Sequence, residues 1–422
     1  MEPRQENLDQ LELLRQELLN ELQDEILPYW MEKVSDVENG GYIGRITGGE
    51  KRKAEAEKSV ILNARLLWTF SAAYRIFGNE DYLEHARRAY SYMEKHFWDS
   101  THGGFFWSVD HKGRVLDTKK HVYAQAFAIY GYSEYGRATG SEVSLKRANE
   151  TFDPLEAHTA DHKYGGYFEA FSRNWTPLED VRLSDGDANE ERSMNTHLHI
   201  MEAYSNLYRA DPNRKLAIRL EAVTNLILTK IYNSETNHFD AFFDREWNRQ
   251  SDFYSYGHDI EAAWLLIDAA EALNDSELKI RAEKMAEKVS YTTLNEAIDP
   301  LTNGVFNTGK NGEPLDKDFH WWVQAEAIAG FLYGFELSGD PQFLEKSAEI
   351  WEFVKKRMKD KDNGEWFFRV NGEGTPYLGE DKVGPWKCPY HNSRLCLIMQ
   401  ERFDEESQSA SADEVAAKQN RV

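Results

Sequence analysis

Hydrophobic and polar positions recur on a helical period through most of the chain, in two alternating sets of segments. The first set is Leu8–Val34, Glu80–Trp98, Val143–His158, Lys215–Tyr232, Glu277–Ala297 and Gln342–Met358, each running into a turn. The second set is Asn63–Phe77, His121–Thr139, Asn195–Arg209, His258–Leu273, His320–Leu337 and His391–Phe403, each following one. The second set is more apolar and richer in small residues, as in Val122-Tyr123-Ala124-Gln125-Ala126-Phe127-Ala128. A helix that is apolar on most faces is buried. The pattern therefore predicts twelve helices in six pairs, the second set forming an inner ring and the first an outer one.

The turns repeat too. Asn39-Gly40-Gly41-Tyr42, His102-Gly103-Gly104-Phe105, Tyr164-Gly165-Gly166-Tyr167, Asn237-His238-Phe239-Asp240, Asn303-Gly304-Val305-Phe306 and Asn363-Gly364-Glu365-Trp366 share a tight turn before an aromatic stub, and the fourth copy has lost its glycines. An open helical array needs polar terminal caps. Here the first and last repeats are no more polar than the rest, so the array is predicted to close into an all-α (α/α)6 barrel with short β-hairpin-like turns, a single domain over residues 1–403. Residues 404–422, rich in Ser, Glu, Ala and Gln, read as a disordered tail.

Composition narrows the picture. With 41% hydrophobic and 29% charged residues, the chain reads as a soluble globule. A net charge of −23 argues against a nucleic-acid partner. The two cysteines, Cys388 and Cys396, form neither a disulfide framework nor a metal pattern, and a reducing cytosol is the simplest inference. The first residues lack an apolar signal region and no 18-residue apolar run occurs, so neither secretion nor membrane insertion is expected. The 12 Trp and 21 Tyr suit both a core of large helices and a cleft in which flat rings stack on sugars.

Six inner helices in one ring bring six N-termini to one end, where unpaired amides favour negative charge. Arg65, just ahead of Leu66-Leu67-Trp68, reads either as a bridge between helices or as a guanidinium for a substrate oxygen. Tyr123 reads as a core ring with a satisfied hydroxyl or as a ligand. In Asn195-Thr196-His197-Leu198-His199, the two histidines diverge by about 200° on a helix and cannot share an ion. Asn195 and His199, four apart, are the pair expected to line the site, with His197 structural. His258 and Glu261 share a helix face. Without a matched third ligand, they read better as a catalytic imidazole and its orienting carboxylate than as metal ligands, and a satisfied core histidine is the alternative. Of the adjacent indoles, Trp321 is chosen for the pocket and Trp322 for the core. Trp386 and His391 supply a flat face and a second acid/base candidate.

Neither a dinucleotide or P-loop fingerprint nor a Gly-x-Ser-x-Gly elbow is present, so cofactor-independent proton chemistry without a metal is expected. Two imidazoles on opposite faces of a carbon α to a carbonyl could remove a proton and return it on the other side. C2 of a ring-opened reducing sugar is such a carbon, and Arg65 could stabilise the enediolate. A glycoside hydrolase would need two flanking carboxyls. Asp185, Asp187, Glu190, Glu261 and Glu326 are available, but the helix openings are richer in histidine. A non-catalytic sugar-binding protein is a third reading, and it would not need His258 or His391.

The segments Asn63-Ala64-Arg65, His121-Val122-Tyr123-Ala124-Gln125, Met194 to His199, Gly257-His258-Asp259-Ile260-Glu261, Trp321 to Glu326 and Trp386 to Asn392 resemble, in order, those of the N-acylglucosamine 2-epimerase family, in particular its cellobiose 2-epimerase branch. The resemblance spans roughly residues 40 to 400. It implies epimerisation at C2 of the reducing-end glucose of β-1,4-linked disaccharides such as cellobiose and lactose. By that analogy His258 and His391 are the acid/base pair, and His391 also assists ring opening. Arg65 and His199 hold the enediolate, Tyr123 and Asn195 bind hydroxyls, Glu261 supports His258, and Trp321 and Trp386 stack on sugar rings. A mannose 2-epimerase shares this scaffold and is the alternative; Trp386 and the loops near Asp185–Glu191 and Tyr377–Val383 are expected to decide. A monomer is the favoured state.

Overall fold

The computed structural model describes residues 5–402, so the segment read as a tail lies outside the described residues. Twelve helices are present among them: α1 (5–32), α2 (Val60–Phe77), α3 (Glu80–His96), α4 (Val122–Thr139), α5 (Glu142–Thr159), α6 (Met194–Ala210), α7 (214–231), α8 (Tyr256–Leu273), α9 (Ser276–Glu296), α10 (Trp321–Ser338), α11 (341–358) and α12 (390–402). The even-numbered helices pack successively against one another, and the odd-numbered ones lie outside them. The inner members are buried nearly throughout; in α8, thirteen residues from Tyr256 to Ala270 are enclosed. This is the all-α (α/α)6 arrangement, with the expected inner and outer sets. Among the described residues, no helix is long and apolar enough to cross a membrane.

Three inner helices begin at a serine whose hydroxyl satisfies one of their first amides. Ser59, Ser193 and Ser255 accept from the backbone N–H three residues on, which fixes the starts of α2, α6 and α8. The outer-to-inner turns share one construction. In all six, the residue four after Asp36, Asp99, Asp161, Asn233, Asp299 or Asp360 donates its N–H back to that residue's carbonyl. Its backbone is left-handed in every copy, supplied by Gly40, Gly103, Gly165, Asn237, Asn303 and Gly364. Asparagine tolerates this region better than other side chains, which is how the fourth copy dispenses with its glycines.

The ring closes on itself. Ile46 and Thr47 pair antiparallel with Val383 and Asp381, joining the first mouth loop to the last. On the outside, Trp351 Nε1 of α11 and Trp366 Nε1 donate to Glu17 and Glu21 of α1 at 2.6 and 2.8 Å. All inner N-termini consequently face one mouth.

Candidate active site

Near the mouth, side chains from all six inner helices meet. Arg65 of α2 donates through Nη2 to the Tyr123 hydroxyl of α4 at 2.6 Å. Its guanidinium lies over Phe127 at 4.2 Å and Tyr390 at 5.0 Å, and its Nε has no partner. Arg65 thus bridges helices and also brings its charge to the central site. The His199 ring stands edge-on to Tyr123 at 5.1 Å and donates through Nδ1 to Glu202 at 2.9 Å.

His197 faces away from this centre. Its Nδ1 donates to the Ser193 carbonyl at 2.7 Å, its Nε2 accepts from Tyr167 N–H at 2.9 Å, and burial pushes its pKa down to about 3. It is a neutral peg between α6 and the preceding turn. Asn195 sits nearer the rim, in a cleft it shares with Leu183, Asp187, Glu190 and Phe242, and its Oδ1 has no partner.

The two remaining histidines are unlike each other. His391, at the start of α12, donates through Nδ1 to Glu326 Oε1 at 2.7 Å and lies 3.9 Å from Glu261. Burial and the positive charge of Arg394 hold its pKa well below the ordinary histidine value. His258 is partly exposed, and among the described residues no side chain hydrogen-bonds to its ring. Its enclosed setting, with His199 nearby, pushes its pKa down to about 3. Both rings lie against Trp322, at 4.7 Å for His258 and 5.6 Å for His391. The Trp322 ring fits only because Gly257 has no side chain; a Cβ there would fall 2.5 Å from Trp322 Cη2.

Two expectations need correction. Glu261 does not orient His258. Its carboxylate turns toward the barrel axis, where Arg394 Nη2 binds Oε1 at 2.5 Å, and Oε2 has no partner. Of the two indoles, Trp322 keeps partial exposure and touches both histidines, whereas Trp321 is almost fully enclosed against Phe368 at 4.8 Å, with only its edge toward His391. Adjacent helical residues project about 100° apart, and the second of this pair is the one aimed between the imidazoles. Trp386 is partly exposed at the mouth. With Trp107, 6.4 Å away and inclined by 57°, it forms a corner of two indoles.

Arg394, one turn beyond His391, is the electrostatic centre of the site. It binds Glu261, Glu326 at 2.6 Å, Glu202 and the Tyr390 hydroxyl. The carboxylates that receive the His199 and His391 protons are therefore joined through one guanidinium. Burial alone would raise the Glu202 pKa, but Arg394 and His199 override it and hold the group at about 2. Glu261 goes the other way, up to about 7, through burial and the neighbouring Glu326 charge. Glu261, Glu326 and His391 place ligand-type atoms within 4.8 Å of one another. Arg394 already supplies the positive charge between those carboxylates, which leaves them poorly suited to a cation.

Sequence reasoning missed Glu202, Arg394 and Trp107 as members of the site and placed Trp322 in the core. Glu202 had a local signal: it follows His199 by three residues, the same spacing as His258 and Glu261. The His391–Glu326 pair spans 65 residues and left none.

A family model described as N-acylglucosamine 2-epimerase matches residues 41–393. A cellobiose 2-epimerase of Bacteroides fragilis is 45% identical over 386 residues, covering 92% of this chain and 98% of that protein. One from Ruminococcus albus is 40% identical over 382 residues, covering 90% and 97%. The solved structure of cellobiose 2-epimerase from Bacillus thermoamylovorans superposes with a TM-score of 0.87 at 36% identity, covering 93% of this chain and all of that one.

Proposed function

Because the chain belongs to the N-acylglucosamine 2-epimerase family, we propose that it is a cellobiose 2-epimerase, interconverting glucose and mannose at the reducing end of β-1,4-linked disaccharides. The observation that carries this reading is the pair of unlike imidazoles, His258 and His391, both resting on the Trp322 indole. An epimerase needs an acid and a base at a carbon that carries a removable proton, whereas a glycoside hydrolase needs two carboxyls flanking the glycosidic bond. The carboxyls gathered here are engaged with Arg394 rather than placed to flank a glycosidic bond.

The reaction follows from these groups. The pyranose opens to the aldehyde, with His391 passing the anomeric hydroxyl proton to the ring oxygen. One imidazole then takes the C2 proton, and the C2–H electrons move into the C1–C2 bond as the carbonyl π electrons move onto oxygen. Arg65 and His199 hold the resulting enediolate, which gains stability where donors are already fixed. The imidazole on the opposite face, having taken a proton from solvent to become imidazolium, returns it to C2, and ring closure gives the epimer. A neutral imidazole suits the base role and a protonated one the acid role. Glu326, at Nδ1, steadies the imidazolium form of His391. Tyr123 and Asn195 bind hydroxyls, and Trp322 forms the floor between the imidazoles. The Trp107–Trp386 corner receives the second sugar ring, which favours a disaccharide over free mannose.

The test is incubation with cellobiose, and separately with mannose, without added cofactor, followed by product analysis. Formation of the glucosyl-mannose epimer is expected; turnover of mannose with none of cellobiose would overturn the substrate assignment.

A further inference from the structure

The six turns that lead into the inner helices differ at one position, the residue after the shared left-handed one. Gly41, Gly104 and Gly166 occupy it with φ of 63°, 72° and 75°, and His238 and Gly304 leave the left-handed region. Glu365 alone keeps this backbone, at φ 63°, while carrying a long side chain. Such a conformation persists in a non-glycine residue when its surroundings over-determine it.

The surroundings do so here. Glu365 is fully buried. Its Oε1 accepts from Lys387 Nζ at 2.9 Å and from Asn392 Nδ2 at 2.7 Å, and its Oε2 accepts from Trp30 Nε1. Lys387 adjoins Trp386, Asn392 adjoins His391, and Trp30 lies on α1. In the second and third copies, the side chain from the following inner helix would meet a Cβ at this position, at 2.7 Å for both Gln125 and His197. In the sixth copy the direction is reversed, and the turn reaches into the helix start.

We propose that Glu365 is a positioning residue: it fixes the Trp386–Asn392 stretch, and with it the His391 ring, against the N-terminal helix, so that closing the barrel assembles the acid/base site. This rests on the assignment of His391 to proton transfer. Removing the side chain alone would leave Lys387 Nζ without an acceptor, so the test compares E365Q, which keeps an amide oxygen for that bond, with E365G/K387M, in which the buried cation is removed and the backbone strain is relieved.

Two readouts apply. In kinetics on cellobiose, E365G/K387M is expected to lose about 100-fold in kcat with little change in KM, as misplacement of a catalytic group does, and E365Q to recover part of the loss. In proton NMR, the downfield Nδ1–H signal of His391, identified by its disappearance in H391N, is expected to move or broaden in E365G/K387M and to stay near its original position in E365Q. A wild-type protein inert on cellobiose would defeat the substrate assignment while leaving the NMR readout intact. A folded E365G/K387M with an unmoved His391 signal and kcat within about twofold of wild type would overturn the proposal. Should that variant not fold, N392A, which removes the carboxylate's hold on the residue beside His391, takes its place, and an unmoved signal with kcat within about twofold of wild type would overturn the proposal equally.

Discussion

His391 Nδ1 and Glu326 Oε1 are 2.7 Å apart, although they come from helices 65 residues distant in sequence. The bond leaves Nε2 as the nitrogen free to act on substrate. E326Q keeps the size of the side chain but removes its charge. We expect kcat to fall by about 100-fold or more while KM changes little, the signature of an interaction strengthened in the transition state. An unchanged kcat would place the proton transfer elsewhere.

The unlike surroundings of His258 and His391 predict a directional effect. H258N and H391N should each slow net epimerisation by about 10²–10⁴-fold. In D2O, however, each variant should still exchange the C2 hydrogen of one epimer, and the two variants should retain opposite ones. Loss of exchange from both epimers in both variants would contradict an arrangement with one imidazole per face.

Glu261 predicts a pH dependence. Its folded pKa lies at about 7, against an ordinary value of 4.5. The folded state thus holds this proton more tightly than the unfolded one. The stability it contributes is complete below the unfolded value, declines as pH rises, and is gone above about 7. E261Q imitates the neutral acid, so its melting temperature should fall less than that of the wild type between pH 5 and pH 8, by calorimetry. Parallel curves for the two proteins would exclude a protonated Glu261.

The indole corner at the mouth separates binding from chemistry. W386A should raise KM for cellobiose by about three- to tenfold, leave kcat largely intact, and have little effect on any turnover of free mannose. W322A should instead lower kcat, because it removes the surface against which both imidazoles rest. Equal effects of W386A on the two sugars would remove this corner from the second-ring site.

Much of the architecture was legible because each repeat writes its own boundaries. Helical periodicity places the segments, the left-handed residue marks the turns, and the apolar character of the second set identifies the inner ring. Asn237 and Asn303 do the work of glycine by a different route, so the fourth turn survives the loss of its motif. The site was legible at the helix openings, where Arg65, Tyr123, His199, His258 and His391 stand near the first turn. It was less so where the direction of a side chain decides its role. Whether Trp321 or Trp322 enters the pocket depends on the rotation of α10, and Glu261 could point to His258 or to Arg394 from the same helix face. Those choices are made by packing across the barrel, which a local pattern does not encode.

Trp30 meets its acceptor, Glu365, 335 positions later in the chain. A ribosome therefore delivers α1 long before the surface that covers it. Until the sixth hairpin emerges, a nascent chain exposes the indole and the apolar face beside it, a state vulnerable to association. The loop that must be closed is nearly the whole polypeptide, which makes its closure a late folding event. Because α12 carries His391, the proposed acid/base pair is incomplete in any partly synthesised chain: competence would arrive together with enclosure.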